Sequence, residues 1–238
     1  KEMPDALLMA WQPGQEGGNS VADVLLGKQT PSGKLTMTFP IMASDVPAVN
    51  NFPTGTGSKY GDRRRNVDYT LHEEGIYVGY RYFTTFGKKV SYPFGYGLSY
   101  TTFAYSKPVV KATANGFTAS IVVKNTGNVD GKEAVQLYVA APNSGLDKPV
   151  RELKAFAKTG TLKPGESETL HFHISTYDLA SFNEAESEWQ TATGKYEVQF
   201  GASVEDIRAT ATFNNKKMFS SKTNNVLRLN RELKEIKP

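Results

Sequence analysis

The segment Phe117-Thr-Ala-Ser-Ile-Val-Val-Lys124 decides the fold class of this chain. Apolar residues at 117, 119, 121 and 123 alternate with polar residues at 118, 120 and 124, and a period of two is typical of a β-strand that buries one face. The same alternation recurs in four later segments, at residues 135–139, 170–175, 195–200 and 207–213. The pattern predicts an all-β domain in this half of the chain.

Turn sequences separate these segments at short intervals. They are rich in Gly, Pro and Asn and lie at residues 125–128, 142–145, 163–166 and 193–195. About seven short strands over roughly 100 residues is the size and spacing of an immunoglobulin-like or fibronectin-like sandwich. We therefore predict a β-sandwich at residues 106–213 in a chain that is mostly β.

The first 43 residues have a different pattern, that of a partial α/β sheet. Residues 6–11, Ala-Leu-Leu-Met-Ala-Trp, are a continuous apolar run, which predicts a strand buried on both faces. Ser20 and Gly27 predict the N-cap and the C′ residue of a following helix, and residues 35–39 predict a second strand. Because so small a sheet cannot bury both faces, this piece needs neighbours.

Residues 44–105 are interpreted as a long connector rich in aromatic residues. This stretch holds nine of the twelve Tyr residues, and flexible linkers are poor in aromatic side chains because these bury large areas. We expect an ordered belt in which Tyr80, Tyr82, Phe94 and Tyr96 are largely buried between the α/β piece and the sandwich. Its polar opening, residues 50–66 with the triplet Arg63-Arg-Arg65, is predicted to be a mobile loop.

Composition and charge exclude several functional classes. The 238 residues contain no Cys, which rules out a disulfide scaffold, a thiolate metal site and a cysteine nucleophile. The net charge of +4 is concentrated at residues 214–238, where seven basic and two acidic side chains lie. We interpret this basic C-terminal tail as a solvated segment, not a polyanion-binding arm, since the rest of the chain has no basic excess. We expect neither a nucleic-acid nor a membrane partner, because no apolar run approaches the roughly 20 residues of a membrane helix.

Candidate chemical sites are few. His171 and His173 lie two apart on a strand, which suits metal ligands, but no third ligand is adjacent, and we expect a solvent-facing pair and no metal site. Glu73 and Glu74 form a poor acid/base pair, because neighbouring side chains on an extended chain point apart. We therefore assign no catalytic residue.

The loop at residues 11–18 is the remaining candidate, because it follows a predicted strand and precedes a helix. Ligands bind at such loops in open α/β sheets. We expect Trp11, Gln15 and Glu16 to be neighbours of a substrate site. The loop lacks the Lys-Ser/Thr of a phosphate loop, and we expect no cofactor.

Motifs along nearly the whole chain resemble glycoside hydrolase family 3. Residues 11–27, Trp-Gln-Pro-Gly-Gln-Glu-Gly-Gly and the following helix, and residues 31–40, Pro-Ser-Gly-Lys-Leu-Thr-Met-Thr-Phe-Pro, are similar to the end of its α/β sandwich domain. Val78-Gly-Tyr-Arg-Tyr82 and residues 92–103 resemble its connector. Four further segments resemble its fibronectin type III-like domain: residues 125–127, 133–139, 151–156 and 162–167.

The resemblance implies the C-terminal structural portion of an exo-acting retaining β-glycosidase, a β-glucosidase or β-xylosidase of Bacteroides type that acts on oligosaccharides. Such enzymes use two carboxylates, and in this family both lie upstream of the matched segment. It implies as partners the N-terminal barrel and α/β domains of the same enzyme, and a periplasmic or secreted location. This chain alone is expected to be inactive.

A different class of function stays open, that of a non-catalytic carbohydrate-binding or scaffold module. A carbohydrate-binding sandwich exposes a flat aromatic platform, whereas Phe117, Phe172 and Phe200 fall on the predicted core face. An adhesin-like scaffold does not need the partial sheet at residues 11–39. The sequence therefore favours the glycosidase portion.

Overall fold

The computed structural model describes residues 4–51, 71–226 and 232–238 of the protein. The described helices are α1 (Gly17–Leu25), α2 (Pro47–Asn51) and α3 (Tyr80–Thr85), with a 3-10 turn at Ala43–Asp45. None of the described helices is long and apolar enough to cross a bilayer. The described strands are β1 (Phe39–Pro40), β2 (Val90–Tyr92), β3 (Phe103–Tyr105), β4 (Val109–Thr113), β5 (Gly116–Asn125), β6 (Ala134–Ala140), β7 (Glu152–Lys158), β8 (Ser167–Ser175), β9 (Ser181–Asn183), β10 (Glu188–Thr191), β11 (Gly194–Gly201), β12 (Ile207–Asn215) and β13 (Phe219–Lys222).

Two antiparallel sheets form the predicted β-sandwich. One sheet has the strand order β12-β11-β6-β7. In the other, β5 pairs with β8 along one edge and with β3 and then β4 along the opposite edge. The apolar positions of the alternating segments fill the core between the sheets, and Phe117, Phe172 and Phe200 are buried there as predicted. The mostly β fold class is confirmed.

A third, small sheet with the order β13-β10-β9 contains part of the basic tail. β13 pairs with β10 in the register Phe219 with Thr191. Further along, the Ile236 N–H donates to the Glu73 carbonyl at 2.9 Å, and the Lys237 ammonium forms an ion pair with Asp147. The described parts of the tail therefore contact the body of the protein, while their lysine side chains are exposed, as expected of a solvated segment.

The helix of the α/β piece begins earlier than the sequence predicts. α1 starts at Gly17 with Glu16 as its N-cap, so that Ser20 lies inside the helix instead of capping it. Pro13 and Gly14 turn the chain before Gly17, which places the helix start ahead of the polar residue. Gly27 does follow the helix end as predicted: its φ is +72° and its N–H donates to the Val24 carbonyl at 3.0 Å.

The two predicted strands of this piece are mostly absent. Residues 6–11 have no strand structure and are exposed, with Leu7 at 65% and Leu8 at 42% of full exposure. The second strand shrinks to β1, which pairs with β2 of the connector. The physical reason is that a strand needs a neighbour for its ladder hydrogen bonds, and the described residues offer residues 6–11 none.

The connector lies against the outer face of the sheet that contains β6. Tyr80 is buried as predicted, whereas Tyr82, Phe94 and Tyr96 are only half-buried. Tyr80 packs on Phe94 with ring centroids 4.7 Å apart and on Tyr138 of β6. The predicted mobile loop at residues 50–66, with its arginine triplet, lies almost wholly outside the described residues. The domain boundaries at 43, 105 and 213 stay predictions.

Candidate functional site

The loop at residues 11–18 has a defined backbone despite its exposed side chains. Gly14 has φ of +72°, and the Gly17 N–H donates to the Gly14 carbonyl at 3.3 Å. Gly17 is buried against the Pro13 ring, where a Cβ would lie 2.5 Å from Cγ. Pro13, Gly14 and Gly17 thus set the turn that leads into α1.

The three predicted substrate-site neighbours, Trp11, Gln15 and Glu16, all lie on this loop and are all exposed. The Glu16 carboxylate accepts a hydrogen bond from the Asn19 amide at 2.6 Å. One carboxylate, one amide and one indole can hydrogen-bond and stack on a polar ligand, but they do not make the pair of carboxyl groups that glycoside hydrolysis needs. Their contact with a substrate stays a prediction.

Trp11 is the most unusual residue of the loop. Its φ of +51° places it in the left-handed region, which is rare for a bulky side chain. Its ring begins a row of aromatic side chains, with centroids 6.4 Å from Phe39, then 6.2 Å from Phe39 to Tyr92 and 5.4 Å from Tyr92 to Tyr96. The row connects the loop to the connector and holds the exposed indole in place.

A buried charge cluster attaches the α/β piece to the sandwich. The Lys34 ammonium lies 3.4 Å from the Glu133 carboxylate, and their side chains are 14% and 4% exposed. The Tyr105 hydroxyl donates to the same carboxylate at 2.8 Å, and the Arg208 guanidinium lies 3.9 Å away. Lys34 and Glu133 belong to the motifs that resemble the family, but neither is predicted to have a role, because their local sequence does not indicate that they pair.

Backbone contacts add to this attachment. The Leu35 N–H donates to the Tyr96 carbonyl and the Gly95 N–H to the Leu35 carbonyl, each at 2.8 Å. The Thr30 hydroxyl donates to the Asp130 carbonyl at 2.6 Å, and the Tyr100 hydroxyl donates to the Val24 carbonyl at 2.9 Å. The candidate loop is therefore attached to the connector and to the sandwich through α1 and the residues that follow it.

Burial raises the pKa of three sandwich tyrosines. For Tyr105 the main cause is burial, and the charge of Glu133 adds to it. Burial also raises the pKa of Tyr138, and it raises that of Tyr196 to about 12. The ordinary value is 10.0, so these phenols stay neutral in the folded protein at a pH where unfolded tyrosine ionises.

The stability of the protein should consequently fall under alkaline conditions. A raised folded-state pKa gives stability that is fully present below pH 10 and is lost as the pH rises towards 12. Urea unfolding between about pH 8 and pH 11 measures this loss. Tyr196→Phe should reduce the loss, whereas Tyr100→Phe, at a half-exposed tyrosine, should leave it unchanged; equal losses in both variants would contradict the explanation.

The remaining candidates from the sequence are the histidine pair, His171 and His173, and the glutamate pair, Glu73 and Glu74. His171 and His173 are exposed on β8, opposite the core face, and no group of three possible metal ligands occurs among the described residues. Both glutamates belong to the connector: Glu74 is 7% exposed, and the Glu73 carbonyl accepts the hydrogen bond from the Ile236 N–H. We assign no pair of carboxylates among the described residues as acid and nucleophile.

Comparisons with known proteins agree with this architecture. Residues 1–100 match the family model described as glycosyl hydrolase family 3 C-terminal domain. Residues 133–204 match the fibronectin type III-like domain. The two matches follow each other along the chain in the order of the α/β piece, the connector and the sandwich.

Curated relatives and solved structures extend the likeness. The chain is 42% identical over 206 residues to β-glucosidase B of Emericella nidulans, covering 85% of this chain and 24% of that protein. It is 41% identical to an exo-α-(1→6)-L-arabinopyranosidase of Bifidobacterium breve, covering 87% and 26%. The structure of β-glucosidase 3B from Thermotoga neapolitana with α-D-glucose matches with a TM-score of 0.82 and 46% identity, covering 90% and 29%. The chain spans about a quarter of the length of these curated relatives.

Proposed function

We propose, from the premise that this chain belongs to glycosyl hydrolase family 3 and carries its C-terminal domain followed by a fibronectin type III-like domain, that it is the structural portion of an exo-acting retaining β-glycosidase. The substrates we propose are oligosaccharides with a terminal β-glucoside or β-xyloside. The nucleophile and the acid/base belong to upstream barrel and α/β domains in this proposal. The proposed location is periplasmic or secreted.

The observation that carries the proposal is that the α/β piece is attached to the rest of the chain and still exposes many large apolar side chains. Lys34 attaches the piece to Glu133 of the sandwich, and Leu35 and the aromatic row attach it to the connector. The same piece exposes a set of large apolar side chains that a folded neighbour would bury: Leu7, Leu8, Met9, Leu25, Leu26 and Met42. Burial of such a patch stabilises an interface by roughly 25 cal/mol per Å² of apolar surface.

In the assembled enzyme the sandwich and connector would hold the loop at residues 11–18 beside the substrate. Trp11 would contribute a stacking surface, and Gln15 and Glu16 would contribute hydrogen bonds. A retaining mechanism needs two carboxyl groups about 5–5.5 Å apart. Because this loop contains a single carboxylate, Glu16, its role in the proposal is support of the site and not nucleophilic attack or proton donation.

The test is reconstitution of activity from two parts. The chain alone should hydrolyse aryl β-glucosides and β-xylosides at no more than background. Co-expression with the upstream part of a family 3 β-glucosidase should restore hydrolysis, because the sheet is then completed. Steady hydrolysis by the chain alone, with a fluorinated glycoside trapped on one of its own carboxylates, would overturn the assignment.

Two variants make the reconstitution specific. Leu8→Asp should abolish it, whereas Val109→Asp, at a similarly exposed apolar side chain on β4 of the sandwich, should not. Glu16→Gln in the reconstituted enzyme should lower turnover without producing an inactive enzyme that azide rescues. Azide rescue of Glu16→Gln would assign Glu16 a direct chemical role.

One observation favours the alternative function of a carbohydrate-binding module. Tyr177 and Phe182 are exposed next to Trp189 on the small sheet, with ring centroids 6.0 and 5.3 Å from the indole. The rings are inclined to the indole by 56° and 59°, however, and so do not form a flat platform. Retention on insoluble cellulose or xylan that Tyr177→Ala removes would favour this alternative.

A further inference from the structure

A cavity of about 420 Å³ lies between the α/β piece and the beginning of the connector. Residues 36–38 form one wall, and residues 46–48, at the start of α2, form a second. The connector supplies most of the remaining surface through aromatic side chains: Tyr77, Tyr80, Tyr82, Phe83 and Phe94. The cavity does not include the loop at residues 11–18.

Glu74 is the charged residue of this cavity. It is 93% buried, being 7% exposed, and its carboxylate makes no hydrogen bond or ion pair with any of the described residues. The described lining contains no Lys, Arg or His. The Arg81 guanidinium, the next basic group along the chain, is paired with Glu152 at 3.2 Å instead.

A second polar group in the same lining lacks a partner. The Thr38 hydroxyl is buried and has no hydrogen-bond partner among the described residues. A buried polar group without a partner costs about 1–3 kcal/mol, and an isolated charge costs more. This buried hydroxyl and the Glu74 carboxylate, which has no partner among the described residues, lie in one lining that is otherwise mostly apolar and aromatic. Together they indicate a site whose ligand supplies the missing partner.

We propose that this cavity binds an organic cation, an ammonium or guanidinium group on a compact apolar body. A cation pairs with the Glu74 carboxylate, whereas a neutral ligand leaves this carboxylate without an ion-pair partner among the described residues. The aromatic walls favour a cation further, because the face of an aromatic ring attracts positive charge. The Thr38 hydroxyl accepts a hydrogen bond from the same N–H group. The inference does not depend on the proposed glycosidase function.

The test uses the full chain labelled with ¹³C at its methionine methyl groups, since Met37 lines the cavity. The probes are n-butylammonium, cyclohexylammonium and capped arginine, with n-butanol and glucose as neutral comparators. We expect saturable shifts of the Met37 signal with the cations only. Tighter binding of capped arginine than of the free amines would identify a protein side chain as the source of the cation, and the reverse order would identify a small molecule.

Variants separate a charge effect from a folding effect. Glu74→Gln should weaken cation binding about tenfold to a hundredfold, whereas Glu184→Gln, at an exposed carboxylate outside the cavity, should leave it unchanged. Without ligand, Glu74→Gln should unfold at about the same urea concentration as the parent, because the carboxylate that it replaces has no partner among the described residues. Thr38→Val should weaken cation binding several-fold, because valine keeps the shape of the threonine side chain but lacks its hydroxyl group.

Three results would overturn the proposal. One is a Met37 shift with glucose or butanol as large as that with the cations, which would make the cavity a site for neutral ligands. Another is cation binding that Glu74→Gln leaves unchanged. The third is the absence of a saturable shift with every probe in a chain that unfolds cooperatively.

Discussion

Gly95→Ala is expected to lower the free energy of unfolding by about 3–5 kcal/mol, from the sum of backbone strain and lost buried hydrogen bonds. Gly95 is buried with φ of +80°, and a Cβ at this position would lie 1.9 Å from Oε1 of Gln136. Gln136 is itself buried on β6, and its amide cannot move without losing partners.

The partners of Gln136 explain why the effect is large. Its Nε2 donates to the carbonyls of Gly95 and Ala202 at 3.1 and 2.9 Å. Its Oε1 accepts a hydrogen bond from the Tyr138 hydroxyl at 2.5 Å. The added methyl group would displace the amide from all three, and each buried group left unpaired costs about 1–3 kcal/mol.

Gly165→Ala provides the matched control for this prediction. Gly165 has nearly the same φ, +84°, but a Cβ there would have no atom within 4 Å. It should therefore lose only the backbone strain, about 1–2 kcal/mol. Urea unfolding of both variants measures the difference, and a loss in Gly95→Ala no larger than that in Gly165→Ala would refute the steric explanation.

Lys34→Met is expected to cost about 2–3 kcal/mol, because it removes one partner of a buried carboxylate. Removing one partner of a buried ion pair typically costs about 3–5 kcal/mol. We expect a value at or below the low end of that range because Tyr105 and Arg208 remain beside Glu133. The loss should fall mainly on the attachment of the α/β piece. Hydrogen exchange at the Leu35 N–H should therefore accelerate more than exchange at core strands such as β5 and β11.

Lys28→Met is the control for Lys34→Met. Lys28 forms an ion pair with Asp23 at 3.6 Å, but the two side chains are 68% and 41% exposed. Exposed pairs contribute about 0–1 kcal/mol, so this change should have little effect. In the double variant Lys34→Met with Glu133→Gln, part of the lost free energy of unfolding should be recovered. If the losses of the two single variants simply add in the double variant, the two side chains act separately.

The sequence by itself determined the β-sandwich, because strand alternation and turn residues are local signals. Val135, Leu137 and Val139 face the core as their spacing predicts. Gly27 likewise follows the end of α1 as its position predicts, since only the conformational freedom of glycine is involved. The family motifs were also present in the sequence alone.

Tertiary structure alone decided what covers the second face of the β6 sheet. Gln136 and Tyr138 have the polar positions of an alternating strand, yet both are buried because the connector packs on them. The spacing of apolar and polar residues along β6 does not show which distant segment will pack on this face. The pairing of Lys34 with Glu133 and the isolation of Glu74 have the same origin, since a charge in a sequence does not state its partner.

The segment at residues 6–11 shows the opposite case, in which local pattern was not enough. Its apolar run has the composition of a buried strand, but Leu7 and Leu8 are exposed and no ladder forms. A strand exists only where another backbone accepts and donates its hydrogen bonds. The sequence determined that residues 6–11 are able to form a strand. The tertiary structure decided that they do not, because no described segment pairs with them.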